Sequence, residues 1–587
     1  MERQIVKQII RSSLMVPSLD LNFAATKELD SRISFTRASG ATYIGPTGLV
    51  EYAPENLILR SEEFNTTWTQ PGATATATSE TANPFGSLTA FKLVENTSSD
   101  YHECQQDVSL GNRLVCFSVY AKAGSGARHL VLSLGEGAGY KLVIFYNLTD
   151  GTVTNSTNQG SWADISAGST DVGGGWYRYF IVARQVTGSF TRCRIGLHDG
   201  TFDYYQGDGV SNILIWGAQL QKGSSATGYL RTTTSAAYGP RFTHDLATGK
   251  SLGLLVERAS SNKFSYSEFV NWAGGLPTGW TRNDTGVWSS DLGINGTYTA
   301  ARITGSAYNP VGALDFIFSS AVTPSVTHTV SAFFKRNTSA SGTVCMAFDG
   351  SGSNVVVFST ANMPVGTWVR LSASFVANAG TWGSGRFHTN GTSVNVTIDK
   401  VQFEDNLAFA TSYIPCGGSS SSRAADQVQI TGTNFSSWYN QNQGTVILEA
   451  THGYILPSGA FLYPFHISNS AGTEGFGAFN TNNSSQNVTY ILGNTVAGGQ
   501  YMQFSTNKLF GTGTYKTAVS YSADSVFTSN DGSPVASDTS VAIPSVNKLT
   551  IGGYGSLASS NFFSGAISRF RYFNRALSRN ALSVLSS

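Results

Sequence analysis

Apolar and polar positions alternate through Asn212-Ile213-Leu214-Ile215-Trp216, and the run ends in Gln219-Leu220-Gln221. This is the pattern of a β-strand with one face buried. Thr227-Gly228-Tyr229-Leu230 closes the stretch Ser211 to Leu230. The same succession returns about 180 residues later in Val396 to Ile414, with Gln402-Phe403-Glu404 and Thr411-Ser412-Tyr413-Ile414. Such a period is too long for a solenoid repeat and fits a duplicated domain.

Three further landmarks repeat in the same order. Asn56 to Trp68 matches Asn262 to Trp272, Ser118-Val119-Tyr120-Ala121-Lys122 matches Ser331-Ala332-Phe333-Phe334-Lys335, and Trp176-Tyr177-Arg178 matches Trp368-Val369-Arg370. Buried-strand runs fill the intervals, such as Leu130 to Leu134 and Tyr140 to Tyr146. Turn clusters such as Asp171 to Gly175 separate them. The pattern predicts an all-β chain of tandem jelly-roll β-sandwiches with a short N-terminal helix. Ile5, Val6, Ile9, Ile10 and Leu14 form the stripe of that helix, which Pro17 stops. The helix would dock on its own fold or on a partner chain.

The expected division is 1–55 as N-terminal helix and anchoring region, 56–234 as first jelly roll and 235–261 as connector. The second jelly roll spans 262–422, and a last sandwich spans 423–587. Gly417 to Ser422 reads as a linker or flexible turn. Asn530-Asp531-Gly532 reads as a hairpin turn, and Ala576 to Leu585 as a terminal helix.

Composition agrees with this picture. Charged residues are 12% of the chain, about half of the usual ~25%, and glycines number 63 in 587 residues. Short strands, many turns and a Ser/Thr/Asn surface follow. The formal net charge is +1, and there is no dense Lys/Arg run, so no nucleic-acid partner is expected. The five cysteines (104, 116, 193, 345 and 416) are scattered and odd in number, which excludes a disulfide framework and leaves them as small core residues. Without a CxxC pair, structural zinc is not expected. No apolar run reaches 18 residues, and residues 1–16 lack a signal-peptide core, so neither membrane insertion nor secretory export is expected.

Leu19-Asp20 to Phe23, then Arg32 to Ser39, resembles the module near the N-terminus of many bacteriophage tail-fibre and virion appendage proteins. Pro240 to Asp245 and Gly253 to Arg258 resemble its continuation. The jelly-roll openings and the Gln-rich endings resemble the carbohydrate-binding-module-like domains of the same proteins. Gln221 stands where that pattern usually has Glu. Phe563 to Ser578, with Phe435 to Tyr439 and Gly444 to Ala450, resembles a concanavalin A-like (laminin G-like) lectin sandwich. The resemblance implies a homotrimeric virion protein, assembled in the host cytoplasm. It would be held to other tail or capsid proteins through its N-terminal region and would adhere to host cell-surface polysaccharide. A polysaccharide depolymerase tailspike and a purely structural virion decoration are the alternatives.

No catalytic constellation emerges. The eight histidines lie in separate segments, none in HExxH, and His102-Glu103 lacks a further ligand. Thr248-Gly249-Lys250-Ser251 mimics the end of a phosphate loop, but His244 stands where the loop's first glycine belongs, so a turn is expected. Sandwich glycosidases place two acids on one strand at alternate positions. The comparable strand here offers Glu449, then Ala450, Thr451 and His452. A non-enzyme without cofactor is therefore the expectation. Asp199-Gly200-Thr201-Phe202-Asp203 and Asp208 offer oxygens to a structural calcium, although a solvated turn fits them better. Trp438, Tyr439, Tyr454, Tyr463 and Tyr554 are the aromatic candidates for sugar stacking in the last domain, against a core role. Asn-x-Ser/Thr triplets at Asn65, Asn96, Asn147 and Asn155 are expected by chance in so polar a chain.

Overall fold

The computed structural model describes residues 16–110, 113–136, 140–160, 162–185, 191–282, 287–305, 314–322, 325–339, 341–348, 354–376, 382–390, 394–453, 461–483, 486–494, 504–505, 513–533, 535, 536–539, 541–554 and 562–587. The helical stripe read over Ile5 to Leu14 lies outside them. The chain is almost entirely β and folds as two compact units, Tyr52–Gly239 and the pair Met1–Glu51 with Pro240–Ser587.

Tyr52–Gly239 is a two-sheet sandwich. One sheet runs Trp162–Gly173, Trp176–Gln185, Leu114–Ala123, Asn212–Lys222, Phe91–Glu95, Ala73–Ala77. The other runs Val153–Gln159, Tyr140–Tyr146, His129–Glu136, Thr191–His198, Glu103–Val108. Alternate residues of both sheets, among them Leu132, Ile144, Ile181, Ile195 and Ile215, meet in one core. Alternation along each strand puts these side chains on a single face, which is why the pattern was readable.

In the second unit, residues 262–422 repeat this plan. One sheet runs Val287–Asp291, Ala300–Gly305, Val394–Asp405, Thr327–Arg336, Trp368–Val376, and its facing sheet has Thr343–Phe348 between Asn354–Ser359 and Trp382–Asn390. Both copies carry a bulge at one place, where pairing shifts between Ser118 and Tyr120 and between Ser331 and Phe333. Each bulge needs a left-handed residue opposite: Gly217 (φ 61°) in the first copy and Lys400 (φ 51°) in the second.

The strands of residues 427–573 form the third sandwich, and they do so with help from far upstream. Leu19–Leu21 pairs with Gly565–Phe573, as does Ser251–Val256, which in turn pairs with Phe242–His244. Ser34–Thr36 pairs with Gln427–Thr431 in the opposite sheet. Leu19, Leu21, Phe23, Leu254 and Val256 are buried in the same core as Val446, Phe465 and Phe570. The sheets thus cross the sequence division: the stretches read as anchor and connector supply strands to the last sandwich, because their apolar alternation has no other surface to cover. The Gly417–Ser422 stretch, read as a linker, also joins a pairing, Ser421–Arg423 with Ser260–Asn262. Asp531 and Gly532 turn the hairpin at positive φ, as such turns require. The terminal helix spans Arg579–Leu585, its first turn capped by Ser578.

Candidate functional site

The repeated motifs build one closure in each jelly roll. Asn56 Nδ2 donates to Ala218 O (2.9 Å) and Leu230 O (2.8 Å), and its Oδ1 accepts from Ile58 N and Leu220 N. Asn262 does the same with Val401 O (3.0 Å), Ile414 O (2.9 Å), Phe264 N and Phe403 N. Ser61 meets Tyr229 OH at 2.7 Å, and Ser267 meets Tyr413 OH at 2.6 Å. Gln219 and Gln402 accept from the Leu230 and Ile414 amides, while Gln221 and Glu404 accept from the Thr227 and Thr411 amides and hydroxyls. The Gln221-for-Glu difference therefore keeps the acceptor, drops the charge and adds a donor to Ser225 O at 3.0 Å. These residues tie a chain end to a strand; they are structural.

Several residues that drew attention in the sequence have the same fate. His102 is buried with its ring nitrogens against Gly72 O and Tyr205 O. Asp199 Oδ1 accepts from Thr201 N and Phe202 N, and Asp208 accepts from Val210 N and Ser211 N. Asp208 is held at a depressed pKa by the Ser211 hydroxyl and amide. The two loops are thus self-capped turns. Thr248 ends a turn in which Asp245 Oδ1 accepts from Ala247 N and Thr248 N, and Ser251 already opens the strand Ser251–Val256. Trp438 and Tyr463 are buried and Tyr439 packs on the Phe435 ring at 4.6 Å, so they serve the core rather than an open sugar platform. Tyr554 lies against His466 (4.4 Å), and Tyr454 falls outside the described residues. Glu449 pairs with Arg571 at 3.1 Å. All five cysteines are free and buried.

A cleft of about 790 Å³ opens in the second unit. One wall is the outer face of Trp368–Val376 and its neighbour Thr327–Arg336, where Arg370, Ser372 and Ser374 alternate toward the opening. Phe409 to Tyr413 adds a second wall. Thr451, His452 and Ser564 from the last sandwich, and Tyr43 and Ile44 from the N-terminal stretch, complete it.

Behind the cleft lies a buried ion cluster. Arg241 pairs with Glu257 (2.6 Å) and with Asp426, and Asp426 also takes Arg37 (2.9 Å). Glu257 accepts from Ser412 N and Ser412 Oγ, both at 2.6 Å. Burial alone would raise the Glu257 carboxyl, but Arg423 and Arg241, with Ser412, hold it at about 2. The residues read as module motifs, Arg37, Arg241 and Glu257, are thus the staple that joins the N-terminal stretch, the second jelly roll and the last sandwich. Glu257 is engaged by Arg241 and Ser412 and held ionised by the flanking arginines, which makes it a poor general base.

Arg370 differs. Its ring partner is Phe333 directly across the strand pair (5.4 Å to the centroid), and Nη2 donates to Ser331 Oγ at 3.0 Å. Among the described residues no carboxylate lies within ion-pair distance of it, Glu404 and Glu257 acting from farther off, and its buried Nε, like that of Arg178, has no acceptor. Burial lowers its pKa from the ordinary value, the cost of keeping a charge out of water. The sequence supplied the signal without its meaning: Trp-x-Arg occurs twice, but Phe180 and Val182 follow in the first copy and Ser372 and Ser374 in the second.

No protein-family model matches the chain, and no curated protein matches it in sequence. Among solved structures, the Ruminococcus gnavus IT-sialidase CBM40 bound to α2,3-sialyllactose aligns at 14% identity over 25% of this chain and 84% of its own, with a TM-score of 0.23. The tandem CBM22 domains of Paenibacillus barcinonensis Xyn10C align at 13% over 60% and 98%, with 0.19. The LG1-3 region of the laminin α2 chain aligns at 10% over 81% and 96%, with 0.17. Likeness at this level says nothing about a ligand of this chain.

Proposed function

We propose that the chain is a non-enzymatic adhesion protein of a bacteriophage particle, a tail or capsid fibre, that binds host cell-surface glycan. The observation that carries the binding half is the cleft around Arg370. It is open and of a size typical for ligand sites. Its wall presents the exposed hydroxyls of Ser372 and Ser374 beside the Arg370 guanidinium, a lining that suits the hydroxyls of a sugar. The non-enzymatic half rests on its carboxylates. Glu257 is consumed by the ion cluster and Asp245 by its own turn, so neither is poised as acid or nucleophile.

The phage half rests on the motifs Leu19 to Ser39 and Pro240 to Arg258. A homotrimer would gather three weak cleft contacts into one firm attachment. Purified protein should sediment as a trimer, bind host cells and their extracted polysaccharide, and release no reducing ends from it. Release of reducing ends would favour a depolymerase instead. A monomer that ignores host cells would count against the proposal as a whole.

A further inference from the structure

We infer that the cleft is selective for saccharides carrying a carboxylate, with the Arg370 guanidinium as the acid-binding group. The inference rests on the glycan-binding reading and names its substrate class.

The two jelly rolls provide the control. Arg178, the first-copy counterpart, stands over Tyr120 and donates to Ser118 Oγ (3.1 Å) and to Thr227 O (2.5 Å). Arg370 keeps the first two relations, with Phe333 and Ser331. The carbonyl corresponding to Thr227 O is Thr411 O, and it accepts instead from Gln402 Nε2 at 3.2 Å. The guanidinium edge that Arg178 spends on its own chain is therefore not spent that way by Arg370.

The surroundings differ in the same sense. In the first copy Trp162–Gly173 pairs along Trp176–Gln185, so the Arg178 strand lies inside its sheet. In the second copy Trp368–Val376 ends its sheet among the described residues, and Ser372 and Ser374 are exposed. A guanidinium held half-buried, with Glu404 and Glu257 acting on it only from beyond ion-pair distance, gains from a ligand that brings a carboxylate into contact. A planar guanidinium fits a carboxylate through two parallel hydrogen bonds. The two serine hydroxyls beside it would take the neutral hydroxyls of the same sugar. Asp245 also lines the cleft, but its Oδ1 accepts from Ala247 N, Thr248 N and Thr248 Oγ1, and Glu257 is neutralised by Arg241. One arginine without a neighbouring lysine fits a carboxylate better than a sulfate or phosphate ester.

The test is an array of neutral, uronic-acid, nonulosonic-acid and sulfate-bearing oligosaccharides probed with the full chain and with Arg370→Gln and Arg370→Lys. Carboxylated glycans should dominate the bound set, and methyl esterification of a bound glycan should weaken it at least tenfold. Arg370→Gln should bring the acid-to-ester ratio to about one, and Arg370→Lys should fall between. That ratio is insensitive to a loss of folded protein, which would weaken acid and ester alike. Preference for neutral or sulfated glycans, or a ratio unmoved by both variants, would overturn the inference and leave glycan binding standing. No binding to any saccharide would overturn both.

Discussion

The two jelly rolls share a closure and differ at an edge. Asn56 and Asn262, Ser61 and Ser267, Gln219 and Gln402 occupy equivalent places and make equivalent bonds. Where the copies part, the first adds the strands Val153–Gln159 and Trp162–Gly173, one to each sheet, and the second has only the short turn Thr360–Asn362 before Trp368–Val376. The added strand Trp162–Gly173 places the Arg178 strand inside its sheet, while Arg178 itself stays half-buried like Arg370. Without such a strand the Arg370 strand ends its sheet among the described residues, with Ser372 and Ser374 exposed. Duplication thus fixed the fold twice and left one copy an edge on which a site could be built. Repeated motifs mark what both copies need in order to fold, and function is to be sought where the copies disagree.

The largest effect should test the shared closure. Asn56→Ala and Asn262→Ala each remove one side chain that serves four buried backbone groups. Each should cost about 3–5 kcal/mol, read as lost amide protection in its own jelly roll by hydrogen exchange. A loss in only one copy would break the equivalence.

The ion cluster is special to the second unit. Glu257→Gln leaves Arg241 with Asp426 alone and takes from Arg423 the carboxylate at 3.6 Å, and it should cost about 3 kcal/mol, measured by denaturant unfolding. The pH dependence follows from the same group. Its folded pKa lies below the ordinary 4.5, at about 2. The unfolded chain therefore binds the proton first, and the Glu257 contribution is full above pH 4.5 and is lost as pH falls toward 2. The natural chain should lose stability over that window more steeply than Glu257→Gln. Equal slopes would mean that the cluster does not hold Glu257 ionised.

Smaller effects separate the twin arginines. Arg178→Gln gives up a bond to its own backbone and should cost about 1–2 kcal/mol. Arg370→Gln should change stability by only about 0.5 kcal/mol. The reverse order, measured by thermal or denaturant unfolding, would make Arg370 the structural member of the pair.

Much of this was legible in the sequence. Period-2 alternation located the sandwich strands, and the spacing of Gln219 and Gln402 exposed the duplication, because both report local geometry. The partnership of Leu19–Leu21 and Ser251–Val256 with Gly565–Phe573 was not legible, since strand pairing over hundreds of residues leaves no local trace. For the same reason Arg37, Arg241 and Glu257 read as motif letters rather than as one ion cluster. Trp438 and Tyr463 were indistinguishable from exposed aromatics until their burial was known. The cleft was hidden for a different reason: its meaning lies in a missing strand, and Ser372 and Ser374 look like any polar surface until that edge is seen to be open.

The most direct test of the central claim is glycan binding by Ser372→Trp. Ser372 is exposed on the cleft wall, so a large ring there fills the opening without disturbing the core. The account predicts an unchanged unfolding profile and loss of binding to host polysaccharide. Full binding by the filled cleft would contradict it and move the site elsewhere on the chain.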